Sequence, residues 1–385
     1  MLYFDHSATT PPYDEVVDTL AEVMRLHYGN PSSLHRMGVE TERLMTRARE
    51  VAAEALGVKP SELIFTSGGT ESNNLALKGA AYQYRDRGRH IITSAIEHAS
   101  VAEPLRQLEA EGFRVTRLPV DETGAVSAAD VEAALTDETI LVSIMHVNNE
   151  TGRIQPVEEI ARVLAGRPRV LFHTDAVQSI GKTAVRPAAW RLDLMSVSAH
   201  KIRGPKGVGL LYRRAGVQLH PLLAGGGQEF GARSGTPNVP AIVAAAKACR
   251  MTMERMPHHA PHLYKLRRMV TEQIREIPGL YVTGSPEEAG MAPHIIHFTF
   301  PGMKSEVLVH MLEKHKVYVS SQSACASKTE KPSDTLLAMG FDRERASSGI
   351  RISMSGEHTE ADVQFLCKAL RMSVDKLQPL VRNLR

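Results

Sequence analysis

The chain has 385 residues, 43% of them hydrophobic, and a formal net charge of +3. It exceeds the roughly 250–300 residues at which one core stops growing, so two domains are expected, and its scattered charges form no basic stripe for nucleic acid. Three cysteines, Cys249, Cys325 and Cys367, have no paired spacing, which argues against a disulfide framework and a cysteine-based zinc site.

The opening segment, MLYFDHSATTPP, lacks a basic stretch followed by an apolar one, and nowhere do about 18 apolar residues run together. A cytoplasmic protein without a membrane span is expected. The triplet Asn149-Glu150-Thr151 is then a chance match to a glycosylation signal.

From about Pro12 to Arg214, short apolar runs alternate with amphipathic stretches, the signature of strand–helix units that build a mostly parallel sheet. ELIFTSGGTESNN combines a buried strand at Ile64 and Phe65, a turn at Gly68-Gly69 and a helix from Thr70. Strands are expected at HIITSA from His90, TILVSIMHV from Thr139, RVLFHTDA from Arg169, DLMSVSAHK from Asp193 and VGLLYRR from Val208. Helical patterns follow His98 and Pro156. MTMERMPHHAP, Met251 to Pro261, is rich in Met, His and Pro and reads as a connection between domains. Beyond it the helix LYKLRRMVTEQIREI, the strands HIIHFTF and GIRISMS, and the helices KSEVLVHMLEKH and TEADVQFLCKALRMSVDKL form a smaller α/β unit. The expected domains are 12–255 and 256–385, with 1–11 packing near the second. A metal site at His258, His259 and His262 is set aside, because no Cys or carboxylate stands at ligand spacing.

Open α/β sheets bind ligands beyond the carboxyl ends of their strands. There TSGGT offers glycines, a hydroxyl and helix amides to an anion. Asp175, with Gln178 three residues on, follows RVLFHT, and His200 and Lys201 follow DLMSVS. A lone Asp there is ordinarily a helix cap and a lone Lys a solvated charge. Together they supply the three requirements of pyridoxal-phosphate chemistry: a lysine amine, an acid for the ring nitrogen and a phosphate cup.

These residues resemble the NifS/IscS-like cysteine desulfurases, within the class V aminotransferase-like, fold-type-I pyridoxal-phosphate enzymes. The resemblance runs nearly end to end, through FDHSATTPP, YGNPSSLHRMG, FTSGGTESNN, EHAS, MHVNNETG, HTDAVQSIGK, SVSAHKIRGPKGVG, GGGQEFGARSGTPN and SSQSACAS. It implies an α/β fold: a large domain with a mostly parallel seven-stranded sheet, plus a smaller C-terminal α/β domain.

It further implies that Lys201 is the Schiff-base lysine, that Asp175 keeps the pyridine nitrogen protonated, and that Gln178 meets the phenolic oxygen. His98 stacks on the ring and moves protons, while Asn149 fixes ring or substrate. Gly69, Thr70, Ser198 and His200 hold the phosphate, with Thr236 arriving from the other subunit of a homodimer. Arg351 grips the substrate carboxylate, with Asn30 a second candidate. The structural alternatives are a helix-terminal role for His98 and an interdomain ion pair for Arg351.

Cys325 lies in the polar stretch SSQSACASKTEKPS, after VYVSS, and is expected to be exposed. Cys249 and Cys367 sit in helical apolar patterns and are expected to be inert. The resemblance then implies that L-cysteine gives up its sulfur to Cys325 as a persulfide, leaving alanine, for delivery to an acceptor such as an iron–sulfur scaffold or a tRNA or thiamin thiolation enzyme. SACAS followed by KTEKPS resembles the longer-loop IscS/NifS branch, and the RGH-type cysteine motif of the SufS branch is absent. Ala199 and Gln322 stand where many relatives carry Gly. The rival readings are another pyridoxal-phosphate reaction on the same scaffold, such as selenocysteine lysis or transamination, and a non-catalytic partner-binding module.

Overall fold

The computed structural model describes residues 1–285, 287–321 and 331–382. In chain order it contains β1 (Leu2–Tyr3), α1 (Asp14–Leu26), α2 (Arg36–Leu56), β2 (Leu63–Thr66), α3 (Gly69–Tyr84), β3 (His90–Ser94), α4 (Ala99–Ala110), β4 (Arg114–Leu118), α5 (Ala128–Ala134), β5 (Thr139–Ser143), α6 (Val157–Leu164), β6 (Leu171–Asp175), β7 (Leu194–Ser198) and β8 (Gly209–Arg213). There follow α7 (Val239–Arg275), β9 (Tyr281–Val282), β10 (Ile295–Thr299), α8 (Ser305–Lys314), β11 (Val317–Tyr318), α9 (Asp334–Ala338), α10 (Arg343–Ala346), β12 (Gly349–Ser353) and α11 (Glu360–Arg382).

The expected seven-stranded sheet is present, in the order β2-β8-β7-β6-β5-β3-β4. Only β8 runs against its neighbours β2 and β7. Successive strand side chains point to opposite faces. Leu63 and Phe65 enter one core with Met195, Val197 and residues of α2, α6 and α7, whereas Ile64 and Leu194 enter another with α3 and α4. Covering both faces explains why these strands read as continuous apolar runs. β4, absent from the sequence reading, is an edge strand whose Arg114 and Arg117 are exposed. Its charges hide the apolar pattern and suit an unpaired edge.

A second core forms around the antiparallel sheet β12-β10-β9, with α8, α11 and the end of α7. Phe4, fully buried, joins this core, and β1 pairs with β11. The stretch 251–261, expected as a connection, lies inside the continuous 37-residue helix α7. Pro257 and Pro261 are tolerated there because both are exposed, so the carbonyls that lose a helical partner are not sealed in a core. The first part of α7 buries Ala245 and Cys249 against the large sheet, and its last part buries Leu266 and Val270 in the small core. No described helix is long and apolar enough to cross a membrane.

Several histidines are buried as neutral rings. Burial pushes His173 and His297 down to about 3, and His90 and His146 down to about 4. His173 is held between the hydroxyls of Ser143 (2.8 Å) and Ser196 (3.1 Å). A group whose folded pKa lies below its unfolded value stabilises the fold above the unfolded pKa, and that stability is lost as pH falls through the folded one. Glu97, pushed up to about 8 by burial, acts in the opposite sense, as do Asp5, Glu150 and Asp193, but His6 and His200, held down to about 3 and about 4, join the four histidines and outweigh them. The melting temperature should therefore fall steadily from about pH 6.5 to about pH 4. A flat melting temperature by circular dichroism across that window would contradict the neutral assignment.

Candidate active site

Strands β2, β3, β5, β6 and β7 end on one side of the large sheet, and a cavity of about 180 Å³ opens there. Gly69, Thr70, His98, Asn149, Asp175, Gln178, Ser198, His200, Lys201 and Arg351 all line it. Ser7 and Ala8 close one wall. A larger cleft, about 690 Å³, lies among Gly57–Lys59 and Arg191–Asp193, toward the strand beginnings, and contains none of the expected site residues.

Asp175 is the last residue of β6 and is buried. Its Oδ1 accepts from the Val177 amide (2.9 Å) and its Oδ2 from Asn73 Nδ2 (2.7 Å). Asn73 also donates to Ser100 Oγ (2.8 Å), which lies 2.8 Å from His98 Nδ1. His98 caps α4 by accepting the Ser100 amide on Nδ1 (3.1 Å), so the neutral ring carries its proton on Nε2. Burial lowers its pKa, partly offset by the Asp175 charge, which keeps the ring neutral at physiological pH. The capping role and a place at the cavity thus coexist.

Lys201 ends the short 3-10 turn Ala199–Lys201 that follows β7. Its ammonium donates to the carbonyls of Ser7 and Ala8, the latter at 2.7 Å. Gln178 donates to the same Ser7 carbonyl (3.0 Å) and leaves its buried Oε1 unpartnered. His200 is held at 3.1 Å from Thr9 Oγ1, and burial pushes its pKa down to about 4. Gly69 is closely packed: an added Cβ would meet Val177 Cγ2 at 3.0 Å and Ser198 Cβ at 3.4 Å, so either neighbour would have to give way. Gly209, opposite on β8, lets the Gly68 turn lie against it, since a Cβ there would come within 2.5 Å of the Gly68 carbonyl carbon.

Arg351, in the middle of β12, is 1% exposed. Its Nη1 donates to the Asn149 carbonyl (2.8 Å) and its Nη2 pairs with Asp5 (2.9 Å), leaving Nε unpartnered. It is both part of the cavity lining and an ion pair with the N-terminal segment.

Two expected residues are not brought to the cavity. Thr236 is exposed and outside it in this chain, and Asn30 is exposed, its Oδ1 accepting the Ser32 amide (2.9 Å). Cys325 lies outside the described residues. Cys249 and Cys367 are buried, and burial pushes their thiols up to about 12 and about 11, which makes them poor nucleophiles at neutral pH. The sequence reading passed over Asn73 and Asp5. Asn73 stands four residues after Gly69, on the same helix face as the turn, which is the signal that could have found it.

The class-V aminotransferase family model matches residues 2–366, and the chain belongs to that family. The chain is 46% identical over 370 residues to a "NifS/IcsS protein homolog" of Lactobacillus delbrueckii subsp. bulgaricus, covering 94% of each. It is 41% identical to a "Cysteine desulfurase IscS" of Clostridium botulinum, covering 96% of this chain and 93% of that one. Among solved structures, a "NIFS-LIKE PROTEIN" superposes with a TM-score of 0.91 at 40% identity, covering 98% of this chain and 100% of the other. "SspA in complex with cysteine" does so at 0.80 and 34% identity, covering 93% and 100%.

Asn73→Ala should loosen both Asp175 and Ser100. A hydrogen bond to a charged group contributes about 1.5–3 kcal/mol, so cofactor retention should weaken by about tenfold or more in equilibrium dialysis. Wild-type retention would show that Asp175 needs no such support.

Proposed function

We propose that this chain is a pyridoxal-phosphate-dependent cysteine desulfurase that converts L-cysteine to L-alanine and leaves the sulfur on Cys325 as a persulfide. The observation that carries the site assignment is the convergence of Asp175, Lys201 and the Gly69 turn on one cavity at the strand ends. That donor set fits the cofactor. Asp175 supplies a buried carboxylate for the ring nitrogen, and Ser198, Thr70 and the α3 amides an anion cradle. The orphaned Gln178 Oε1 marks a side-chain amide still able to take a partner at the cavity.

When bound, pyridoxal phosphate withdraws electrons from the amino-acid Cα. The chain's own residues then do the rest. Arg351 receives the substrate carboxylate through a charge-assisted pair, exchanging contacts with Asp5. The Lys201 nitrogen takes the Cα proton. His98 stands over the same space with its Nε2 proton available for transfer. The Cys325 thiolate attacks the substrate sulfur, an S–S bond forms as the C–S bond breaks, and the electron pair leaves with the carbon skeleton. Protonation of that skeleton completes alanine, so the balance is L-cysteine plus thiol to L-alanine plus persulfide.

A homodimer, with Thr236 completing the partner's phosphate cradle, is supported by apolar exposure on that side. Phe230 is 56% exposed beside Pro31 and Pro237 in a shared groove, and Leu34 and Tyr28 are exposed on the neighbouring segment. The persulfide passes to an acceptor protein in iron–sulfur cluster assembly or in tRNA or thiamin thiolation. A cytoplasmic setting keeps the thiol reduced.

After turnover with L-cysteine, intact-peptide mass spectrometry should find one added sulfur on the Cys325 peptide, and Cys325→Ser should abolish it while leaving cofactor absorbance intact. A Cys325→Ser protein that releases alanine and sulfide at the wild-type rate would remove Cys325 from the mechanism.

A further inference from the structure

Lys182 is a second lysine at the catalytic one, and nothing in the proposed reaction uses it. It follows Gly181, whose φ of 75° sets a turn that packs so closely on Thr252 that a Cβ would lie 2.0 Å from its Cγ2. The turn directs Lys182 inward, and its ammonium donates to the backbone carbonyl of Lys201 at 2.7 Å. Both lysines line one small cavity of about 40 Å³ behind the active site, together with His6 and Arg203.

The surroundings of this amine are cationic or neutral. His6 of the N-terminal segment, His200 and Lys201 of the 3-10 turn, and His294 before β10 all feel its charge. Arg203 and His259 share the cavity, and its carboxylate, Glu357, is paired with Arg203. Among the described residues no carboxylate lies within ion-pair distance of Lys182. On the far side of Lys201 stand Asp5, paired with Arg351, the Asp175 carboxylate and the neutral His98 ring, besides the two carbonyls that hold its ammonium. An ammonium drawn out of water without a counter-ion is costly, and such an arrangement persists where it serves a reaction. Burial, reinforced by the Lys201 charge, holds Lys182 down to about 7.

We propose that Lys182 is a positioning residue for Lys201: its hydrogen bond fixes the Lys201 backbone, and its charge opposes the Ser7 and Ala8 carbonyls so that the Lys201 nitrogen is presented uncharged. Like charges in one low-dielectric site disfavour joint protonation, so each amine titrates under the influence of the other. This inference rests on Lys201 being the cofactor-bearing lysine. Lys182→Gln keeps a donor for the carbonyl and removes the charge, whereas Lys182→Met removes both.

The test is a pH titration of the visible absorbance of the lysine-bound cofactor. Both variants should shift its midpoint upward by about one unit, a tenfold change in proton affinity. Lys182→Met should also attach added pyridoxal phosphate several-fold more slowly than Lys182→Gln. In the unaltered protein freed of cofactor, the attachment rate should level off well below about pH 10.4, the ordinary lysine value. Midpoints at the wild-type position in folded variants, or a wild-type attachment rate still climbing to that pH, would overturn the role of Lys182 alone. A wild-type protein with no lysine-bound absorbance would instead remove Lys201, and this inference with it.

Discussion

The arrangement depends on a carboxylate kept at the end of a buried strand. Asp175 closes β6, where parallel neighbours and helices on both faces exclude water, and an unsupported negative charge there would be expensive. Two donors make it tolerable, the Val177 amide and Asn73. Asn73 passes the constraint on through Ser100 to His98, so one helix side chain couples the Asp175 carboxylate to the His98 imidazole. Connected polar networks of this kind hold side chains in place even though Asn73 Oδ1 itself has no partner, and removing one member exposes the others to the desolvation cost.

A second constraint comes from the first residues of the chain. Phe4 is anchored in the small core, Asp5 pairs with Arg351 on β12, and the Ser7 and Ala8 carbonyls receive Lys201 from the large sheet. Thr10 Oγ1 then bonds the His200 carbonyl at 2.7 Å, and the Tyr13 ring packs under Arg203. A stretch of about ten residues thus spans both cores and forms one wall of the cavity. The continuous helix α7 is a further structural tie between them. The pocket is accordingly assembled from elements far apart in sequence, and a preorganised charge pattern is the kind of feature that lowers a reaction barrier without reorganisation.

Much of this was legible from residues alone. Strands buried on both faces announce themselves as apolar runs, so β2, β3, β5, β6, β7 and β8 were found, and residues just past their ends proved to share one cavity. What stayed hidden has physical reasons. β4 is an edge strand whose arginines mask its period. The Met, His and Pro tract 251–261 resembles a connection, yet both prolines face solvent, where a helix can lose a hydrogen bond without sealing a polar group in the core. Asn73 reaches Asp175 and Asp5 reaches Arg351 across 102 and 346 positions, a relation that no local pattern carries. Thr236 and Asn30 lie outside the cavity of a single chain, so their expected roles depend on contacts a single chain does not supply.

The claim that everything else rests on is that Lys201 carries the cofactor at the cavity floor. Borohydride reduction of the purified holoprotein followed by peptide mass mapping measures it directly. The account expects one phosphopyridoxyl adduct, on the peptide containing Lys201. An adduct confined to Lys182 or to a surface lysine, or none at all in a protein saturated with pyridoxal phosphate, would contradict it.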